Sequence, residues 1–273
     1  MMKSKSILPI IVVLFIFMYL ISNGKKENEE IQQPVESTVT YGAANSQYEL
    51  PYITKDDMIV KHTGYVLSYN TTTNCPNWVA WELTDQEAEA NEMKRKDSFK
   101  PDKEIPSKNR VYPAEYKNSG YDKGHMCPAA DMKWSEKAME DSFYMTNMCP
   151  QSPTLNRQWW QHLEDACRRW ATNDDKIYIC CGPIYYGETK TFIGNKVLVQ
   201  VPDAFFKVVL SLKEGKEKGI GFIYWNDDTR QIMDDVAMPI DDIEFLTGYD
   251  FFSDLDDVIE SRLESEANLK LWQ

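Results

Sequence analysis

The sequence predicts an α+β domain with a central antiparallel sheet core. Six segments are rich in β-branched and aromatic residues and either alternate with polar residues or run apolar, which is typical of strands. One stretch among them places large apolar residues at helical spacing instead. The chain has 273 residues, of which 42% are hydrophobic and 12% are aromatic, so it is long and apolar enough to bury a sizeable core.

The N-terminus has a different character from the rest of the chain. An uncharged apolar run at 7–21, broken only by Pro9, follows a start that carries two lysines. This pattern indicates an export signal within residues 1–22, and because no clear cleavage site follows, a retained membrane anchor is the alternative. The polar stretch at 23–47 lacks periodicity and predicts a flexible linker. Residues 48–273 show neither a second linker nor a repeat, so we expect one folded domain outside the cytoplasm.

The elements of that domain can be placed in order along the chain. The predicted strands lie at 60–68, 78–83, 177–181, 197–201, 205–212 and 220–225. A helix is predicted at 156–171 between the second and third strands, because Trp159, Trp160 and Trp170 recur there at helical spacing. That spacing favours core positions for the tryptophans over stacking on nucleic-acid bases. Two further helices, at 241–246 and 256–269, carry no obvious chemistry.

Six cysteines are spread over the domain. Export would make them candidates for disulfides, although six cysteines allow fifteen pairings and the sequence does not choose among them. Cysteine is also among the most frequently buried residue types, so small apolar core positions are the alternative.

One of the three histidines stands in a sequence context suited to catalysis. His125 lies in the stretch Gly-Tyr-Asp-Lys-Gly-His-Met-Cys-Pro at 120–128, where Gly124 permits sharp backbone geometry and Pro128 prevents a helix. We therefore expect His125 on a turn or at a strand end. A neutral imidazole there can take a proton from water near pH 7, as general-base hydrolysis requires. Taken alone, the position of His125 is better explained by a structural histidine. For His162 a packing or exposed position is favoured over a role as a second base, and His62 lies within the predicted strand at 60–68 with no identifiable partner.

Two polar residues on the predicted helix complete the candidate set. Asn156 begins the predicted helix, and Glu164 follows eight residues later. On an ideal α-helix this spacing corresponds to about 12 Å along the axis and about 80° around it, so both side chains can face one cleft without gripping one ion directly. Helix capping by Asn156 and solvation of Glu164 are the ordinary alternatives.

Several motifs in a fixed order resemble the DNA/RNA non-specific endonuclease family. They are DKGHM at 122–126, TNMCPQ at 146–151, NRQWW at 156–160 and LED at 163–165, and the resemblance extends over residues 60–260. Further matching segments lie at 95–99, 116–121, 181–185, 201–207 and 242–248. The resemblance implies a ββα-metal finger as the active site and hydrolysis of DNA and RNA to 5′-phosphorylated products.

The resemblance also implies roles for individual residues. His125 would activate the attacking water, and Asn156 would be the main protein ligand of one Mg²⁺, with Mn²⁺ as the alternative ion. Such sparse ligation suits Mg²⁺, which usually keeps several of its waters. Glu164 would act through a water, and Arg95 would hold the phosphate with its fork of donors.

The chain departs from the family hallmark Asp-Arg-Gly-His at Lys123, where the family has Arg. The charge is kept and the bidentate fork is lost, so we expect Lys123 to contact phosphate as a point charge. Arg157 is a second candidate for substrate binding, although a surface arginine without a role is the alternative. DNA and RNA are the expected partners. A membrane tether and a protein inhibitor stay open as further partners, and the oligomeric state is left undetermined.

The formal net charge of −13 argues against a polyphosphate substrate unless the charge is unevenly distributed. Between 92 and 125 there are nine basic residues and six acidic ones, whereas between 227 and 260 twelve acidic residues accompany a single arginine. The sequence therefore predicts a bipolar surface.

Three competing interpretations remain. A phosphodiesterase of the same fold could act on small nucleotides. A catalytically inactive binding module is disfavoured, because His125, Asn156, Glu164 and Arg95 are all present. A cysteine-based redox or zinc protein is disfavoured because the sequence has neither CxxC nor HExxH.

Overall fold

A seven-stranded antiparallel sheet forms the centre of the domain, which confirms the predicted fold class. The structure is a computed structural model that describes residues 46–186 and 189–273. The strands are β1 Ile59–His62, β2 Tyr65–Asn70, β3 Cys75–Thr84, β4 Asp122–His125, β5 Met148–Gln151, β6 Lys176–Ile184, β7 Phe192–Ile193, β8 Val199–Gln200, β9 Ala204–Ser211, β10 Lys218–Trp225 and β11 Ala237–Met238. The large sheet has the order β1-β2-β3-β6-β9-β10-β11, and β4-β5 and β7-β8 form separate two-stranded sheets.

Six α-helices accompany the sheets within these described residues. They are α1 Asp85–Glu89, α2 Glu136–Asp141, α3 Trp160–Asp174, α4 Met233–Val236, α5 Ile240–Thr247 and α6 Asp257–Glu264. None of the helices in the described part of the chain has the length and apolar character needed to cross a membrane. The predicted export segment at 1–22, and the predicted linker up to residue 45, lie outside the described residues.

The first predicted strand, at 60–68, is in fact a hairpin. Strands β1 and β2 pair in antiparallel register from Ile59↔Ser68 to His62↔Tyr65, with Thr63 and Gly64 as the turn. Gly64 has a φ of +88°, which glycine adopts without steric cost. A prediction of one continuous strand was wrong because both arms of the hairpin carry the same β-branched and aromatic character.

Two other predicted elements are shorter than expected. The strand predicted at 197–201 pairs only at Val199–Gln200, and the helix predicted at 256–269 ends at Glu264. A separate 3₁₀ turn, Leu269–Trp272, follows that helix and places the Trp272 ring 4.8 Å from Trp170. Leu269, where the predicted helix was to end, and Trp272 pack against the core without continuing the helix, whereas Leu271 is exposed.

The two faces of the sheet carry different helices. Alternate side chains of a strand point to opposite faces, and Phe222 of β10 stacks on Trp170 of α3 at 6.1 Å. Its neighbours Gly219 and Gly221 face the other way. A Cβ on Gly219 would come within 2.5 Å of the Leu263 carbonyl oxygen of α6, and one on Gly221 would meet α5. Helix α3 therefore covers one face, and α5 with α6 covers the other.

The six cysteines are all buried free thiols in the structure. They belong to the apolar interior, which was the alternative to disulfide bonding. Burial raises the pKa of the thiols of Cys127, Cys149, Cys167, Cys180 and Cys181. These groups therefore stay protonated and unreactive at neutral pH.

Candidate active site

The DKGH motif is itself strand β4, and it pairs with β5 to form a small ribbon beside the large sheet. The register joins Asp122 to Gln151 and His125 to Met148. A helical segment that starts at Pro153 follows β5 and runs into α3. Two short strands followed by a helix form a ββα finger, with His125 as the last residue of its first strand.

Gly124 is required by the packing of this ribbon. A Cβ at this position would lie 2.1 Å from the Gln151 Oε1 and 2.7 Å from the Gln151 Cβ, on the facing strand. Gln151 is fully buried. The close approach of the two strands, and with it the position of His125, therefore depends on a residue without a side chain at 124.

His125 lies in an aromatic pocket. Its ring is 5.1 Å from that of Phe143 in an edge-on arrangement and 5.5 Å from that of Phe99. The residue is 8% exposed, and its Nε2 has no hydrogen-bond partner within the described residues. A buried polar atom without a partner is costly, and this nitrogen is therefore a candidate proton acceptor.

Two cations flank the pocket. The Arg95 guanidinium lies 5.4 Å from the centre of the Phe143 ring, and the Lys123 ammonium lies 4.6 Å from that of Phe99. Burial is the main cause that lowers the pKa of His125 from 6.5 to about 3, and the charges of Arg95 and Lys123 lower this pKa further. The imidazole is therefore neutral at physiological pH, and the positive charges of Arg95 and Lys123 lie close to its pocket.

Asn156 does not cap the helix, which corrects the expectation that the helix begins there. The residue lies in a π-helical turn, Leu155–Trp159, three residues after the helical segment starts at Pro153. Single π turns inside helices are frequent at functional sites. The turn also changes the ideal α-helical angle that the sequence spacing implied between Asn156 and Glu164.

Asp122 holds Asn156 and Arg157 together. The Asn156 Nδ2 donates to the Asp122 Oδ2 at 2.9 Å, and Arg157 donates to both carboxylate oxygens at 2.7 Å. These donors keep the pKa of Asp122 below its ordinary value, although partial burial opposes them. A carboxylate only accepts hydrogen bonds, so Asn156 must offer its NH₂ to Asp122. Its carbonyl Oδ1 remains available for a cation.

Glu164 lies in a different environment from His125. Burial raises the pKa of this half-buried carboxyl to about 7, while the positive charges of Lys207 and Arg168 lower it. Lys207 is fully buried, and its ammonium lies 4.4 Å from the Trp160 ring centre and 5.1 Å from that of Trp81. Glu164 is thus poised between the charged and the neutral form at neutral pH, and Lys207 favours the charged form.

The structure therefore groups the predicted residues into three sets. Arg95 and Lys123 lie around His125, while Asn156 and Arg157 share Asp122. Glu164 faces a third set of charges beneath α3, where Arg168 donates to the buried Asp131 at 2.7 Å. Their roles in catalysis stay predictions, because geometry alone tests none of them.

Sequence reasoning missed several groups that shape the site. Phe99 and Phe143 are distant in sequence and meet only in the fold. Asp122 belongs to the motif, but its role in holding Asn156 depends on a contact across 34 residues. Lys207 did have a signal, since it is a lone cation within an otherwise apolar strand.

The other two histidines are placed outside this pocket. The His62 Nε2 lies 2.8 Å from the buried carboxylate of Asp102, and its ring stacks on Tyr144 at 4.6 Å. Asp102 also accepts from Thr146 at 2.8 Å, so this group braces the start of the segment that leads into β5. His162 is exposed and packs edge-on against Trp159.

The residues present fit a magnesium ion. The donor set offers the Asn156 carbonyl oxygen on a helix, a hard oxygen ligand of the kind Mg²⁺ accepts. Asp122 orients that amide, as groups behind a metal ligand commonly do.

Comparisons with known proteins identify similar nucleases. A family model described as DNA/RNA non-specific endonuclease matches residues 42–258. A nuclease of Nostoc sp. is 34% identical over 79% of this chain and 81% of its own length. The mitochondrial nuclease of Saccharomyces cerevisiae is 32% identical over 76% of this chain and 69% of its own length.

Two further similarities concern endonuclease G. The mitochondrial endonuclease G of Homo sapiens is 32% identical over 60% of this chain and 57% of its own length. A chain in the crystal structure of the EndoG/EndoGI complex superposes with a TM-score of 0.71 and 29% identity, over 77% of this chain and 91% of that chain. The finger, the motif order and these matches together show that the chain is an endonuclease of the DNA/RNA non-specific endonuclease family.

Proposed function

We propose that this protein is a Mg²⁺-dependent endonuclease that hydrolyses DNA and RNA with little regard for sequence and leaves 5′-phosphates. The observation that supports this most strongly is the His125 imidazole at the end of strand β4, which is buried, neutral and, among the described residues, unpartnered at Nε2. A general base must be in its neutral form at working pH and must have a free nitrogen. The interactions of His125 meet both conditions.

Each residue has a distinct task in the proposed reaction. His125 accepts a proton at Nε2 from the water that attacks the phosphorus. Arg95 and Lys123 hold phosphate oxygens, Arg95 as a fork and Lys123 as a point charge. Asn156 would hold Mg²⁺ through its Oδ1. When bound, this ion neutralises charge on the scissile phosphate and stabilises the leaving 3′-oxygen.

Three further residues act indirectly in the proposed reaction. Asp122 fixes the amide of Asn156 in the orientation that presents Oδ1, and Arg157 balances the charge of Asp122. Arg157 was expected to bind substrate, and its two hydrogen bonds to Asp122 support a role in holding that carboxylate as well. Glu164 would act through a water in its ionised form, which Lys207 favours.

We also propose that the protein works outside the cytoplasm. The support is the uncharged apolar run at 7–21 behind two lysines, followed by the polar stretch at 23–47. Residues 1–22 would be either removed after export or retained as a membrane tether. A protein inhibitor is a candidate partner, because the similar EndoG is described in a complex that explains its inhibition.

The test is cleavage of plasmid DNA and of RNA by the purified protein with Mg²⁺ or with EDTA, beside His125→Ala and Asn156→Ala. His162→Ala is the matched control, since this histidine is exposed on the helical segment that also carries Asn156. We expect cleavage of both polymers by wild type and His162→Ala with Mg²⁺ only. An intact plasmid together with cleavage of a small chromogenic phosphodiester would instead favour a nucleotide phosphodiesterase of the same fold.

A further inference from the structure

A cluster of carboxylates lies between helices α5 and α6, on the face of the large sheet opposite α3. Asp241 and Glu244 come from α5, and Glu264 is the last residue of α6. One carboxylate oxygen of each lies within 4.8 Å of those of the other two. Residues distant in sequence therefore bring three acidic groups to one point.

Glu264 is the member of the cluster that its surroundings leave uncompensated. It is 3% exposed, and its Oε1 has no hydrogen-bond partner in the part of the chain that the structure describes. Within residues 46–186 and 189–273, none of the three carboxylates forms an ion pair with a lysine, arginine or histidine. The end of a helix also carries partial negative charge, which disfavours a carboxylate there. A buried charge in this position requires a positive partner.

Further acidic groups add to the local negative charge. Burial is the main cause that raises the pKa of Glu264 to about 10, and Glu244, Glu260, Asp241 and Asp250 raise it further. Burial and the neighbouring acids likewise raise the pKa of Glu244 to about 7, although a hydrogen bond from the Phe251 amide lowers it. Without a cation, the cluster can relieve its repulsion only by taking up protons.

The chemistry of the cluster favours calcium. Ca²⁺ binds six to eight oxygens at 2.3–2.6 Å, so oxygens on opposite sides of one ion are about 4.6–5.2 Å apart. The spacing within the cluster falls inside that limit. Mg²⁺ demands about 2.0–2.1 Å and usually uses only one or two carboxylates, because it keeps several waters. The Phe251 amide donates to the Glu244 Oε1 at 2.6 Å, which leaves the second oxygen of Glu244 for an ion.

We propose that Asp241, Glu244 and Glu264 bind one Ca²⁺, which joins α5 to α6 and holds both helices on the sheet. This site is structural and separate from the proposed Mg²⁺ site, because the two lie on opposite faces of the sheet. The bound Ca²⁺ stabilises the fold and takes no part in the cleavage reaction.

The test uses the full-length chain, stripped with EDTA and then titrated with CaCl₂ while thermal unfolding is followed. The variants are Glu264→Gln and Asp241→Asn, and Glu266→Gln is the matched control because it removes one exposed charge just beyond α6. Wild type and Glu266→Gln should gain about 5–10 °C in Tm at a hundredfold excess of Ca²⁺ over its Kd. Both cluster variants should lose this gain.

A second measurement separates loss of the site from loss of the fold. In EDTA, Glu264→Gln should melt at or above the temperature of wild type, because the substitution removes buried repulsion, and it should keep its Mg²⁺-dependent cleavage. Asp241→Asn changes an exposed residue and carries the same prediction if Glu264→Gln does not fold. An equal Ca²⁺-induced gain in wild type and in the cluster variants, or no gain in wild type, would overturn the proposal.

Discussion

The neutral state of His125 has a measurable effect on stability. Its pKa is lowered from 6.5 to about 3 by burial, so between these pH values the unfolded chain binds a proton that the folded chain does not. The stabilisation by neutral His125 is therefore fully present above pH 6.5 and is lost as the pH falls toward 3. Each pH unit below 6.5 costs about 1.4 kcal/mol, which amounts to about 2 kcal/mol at pH 5.0.

The perturbation that isolates this effect is His125→Gln, which keeps a polar side chain but removes the titration. The free energy of unfolding is measured in urea at pH 7.5 and at pH 5.0 for wild type and for the variant. All other titrating groups are common to both proteins, so the difference of the two pH effects reports His125. Wild type should lose about 2 kcal/mol more than the variant between the two pH values. Equal losses would refute the conclusion that the folded protein holds this imidazole neutral.

Three further predictions follow from the site. Glu164 would set the acid limb of the pH profile of kcat/KM near pH 7. Lys207→Met should move this limb to higher pH, because the charge of Lys207 lowers the pKa of Glu164. An unchanged limb would show that Glu164 need not be ionised. Gly124→Ala should cost about 1–3 kcal/mol of unfolding free energy, since its Cβ would overlap Gln151. An unfolding free energy of Gly124→Ala equal to that of wild type, measured in urea, would contradict the close approach of Gly124 to Gln151. Finally, the cleavage rate should fall steeply with salt, because an acidic protein must bind the polymer through local cations, and a rate independent of salt would contradict that.

The sequence predicted those features that depend on local patterns. Strand periodicity located the segments that form β1, β2, β3, β6, β9 and β10 of the large sheet, but it missed β11, and the segment at 197–201 belongs to the separate β7-β8 sheet. The helical spacing of Trp160 and Trp170 placed them correctly in the core. The local pattern gave a wrong prediction where two adjacent strands have the same β-branched and aromatic composition, as in the hairpin at Gly64. It also placed the start of the active-site helix at Asn156, because a π turn leaves no mark in the spacing of apolar residues.

The candidate site was predictable only in part for a related reason. Motif order identified His125 and Asn156, which belong to short contiguous segments. The contacts that set their chemistry join residues far apart in the chain, such as Phe99 with Phe143 at His125, and Asp122 with Asn156. No periodicity encodes such pairs, since only the three-dimensional fold brings them together.

The most direct test of the central claim is the single-turnover rate of DNA cleavage by wild type and by His125→Ala at saturating Mg²⁺ and neutral pH. Removal of a general base should lower this rate about 10²- to 10⁴-fold, while the affinity for DNA stays near that of wild type because Arg95, Lys123 and Asn156 remain. A variant that cleaves within about tenfold of wild type, or that loses activity only through weaker DNA binding, would contradict the assignment of His125 as the base.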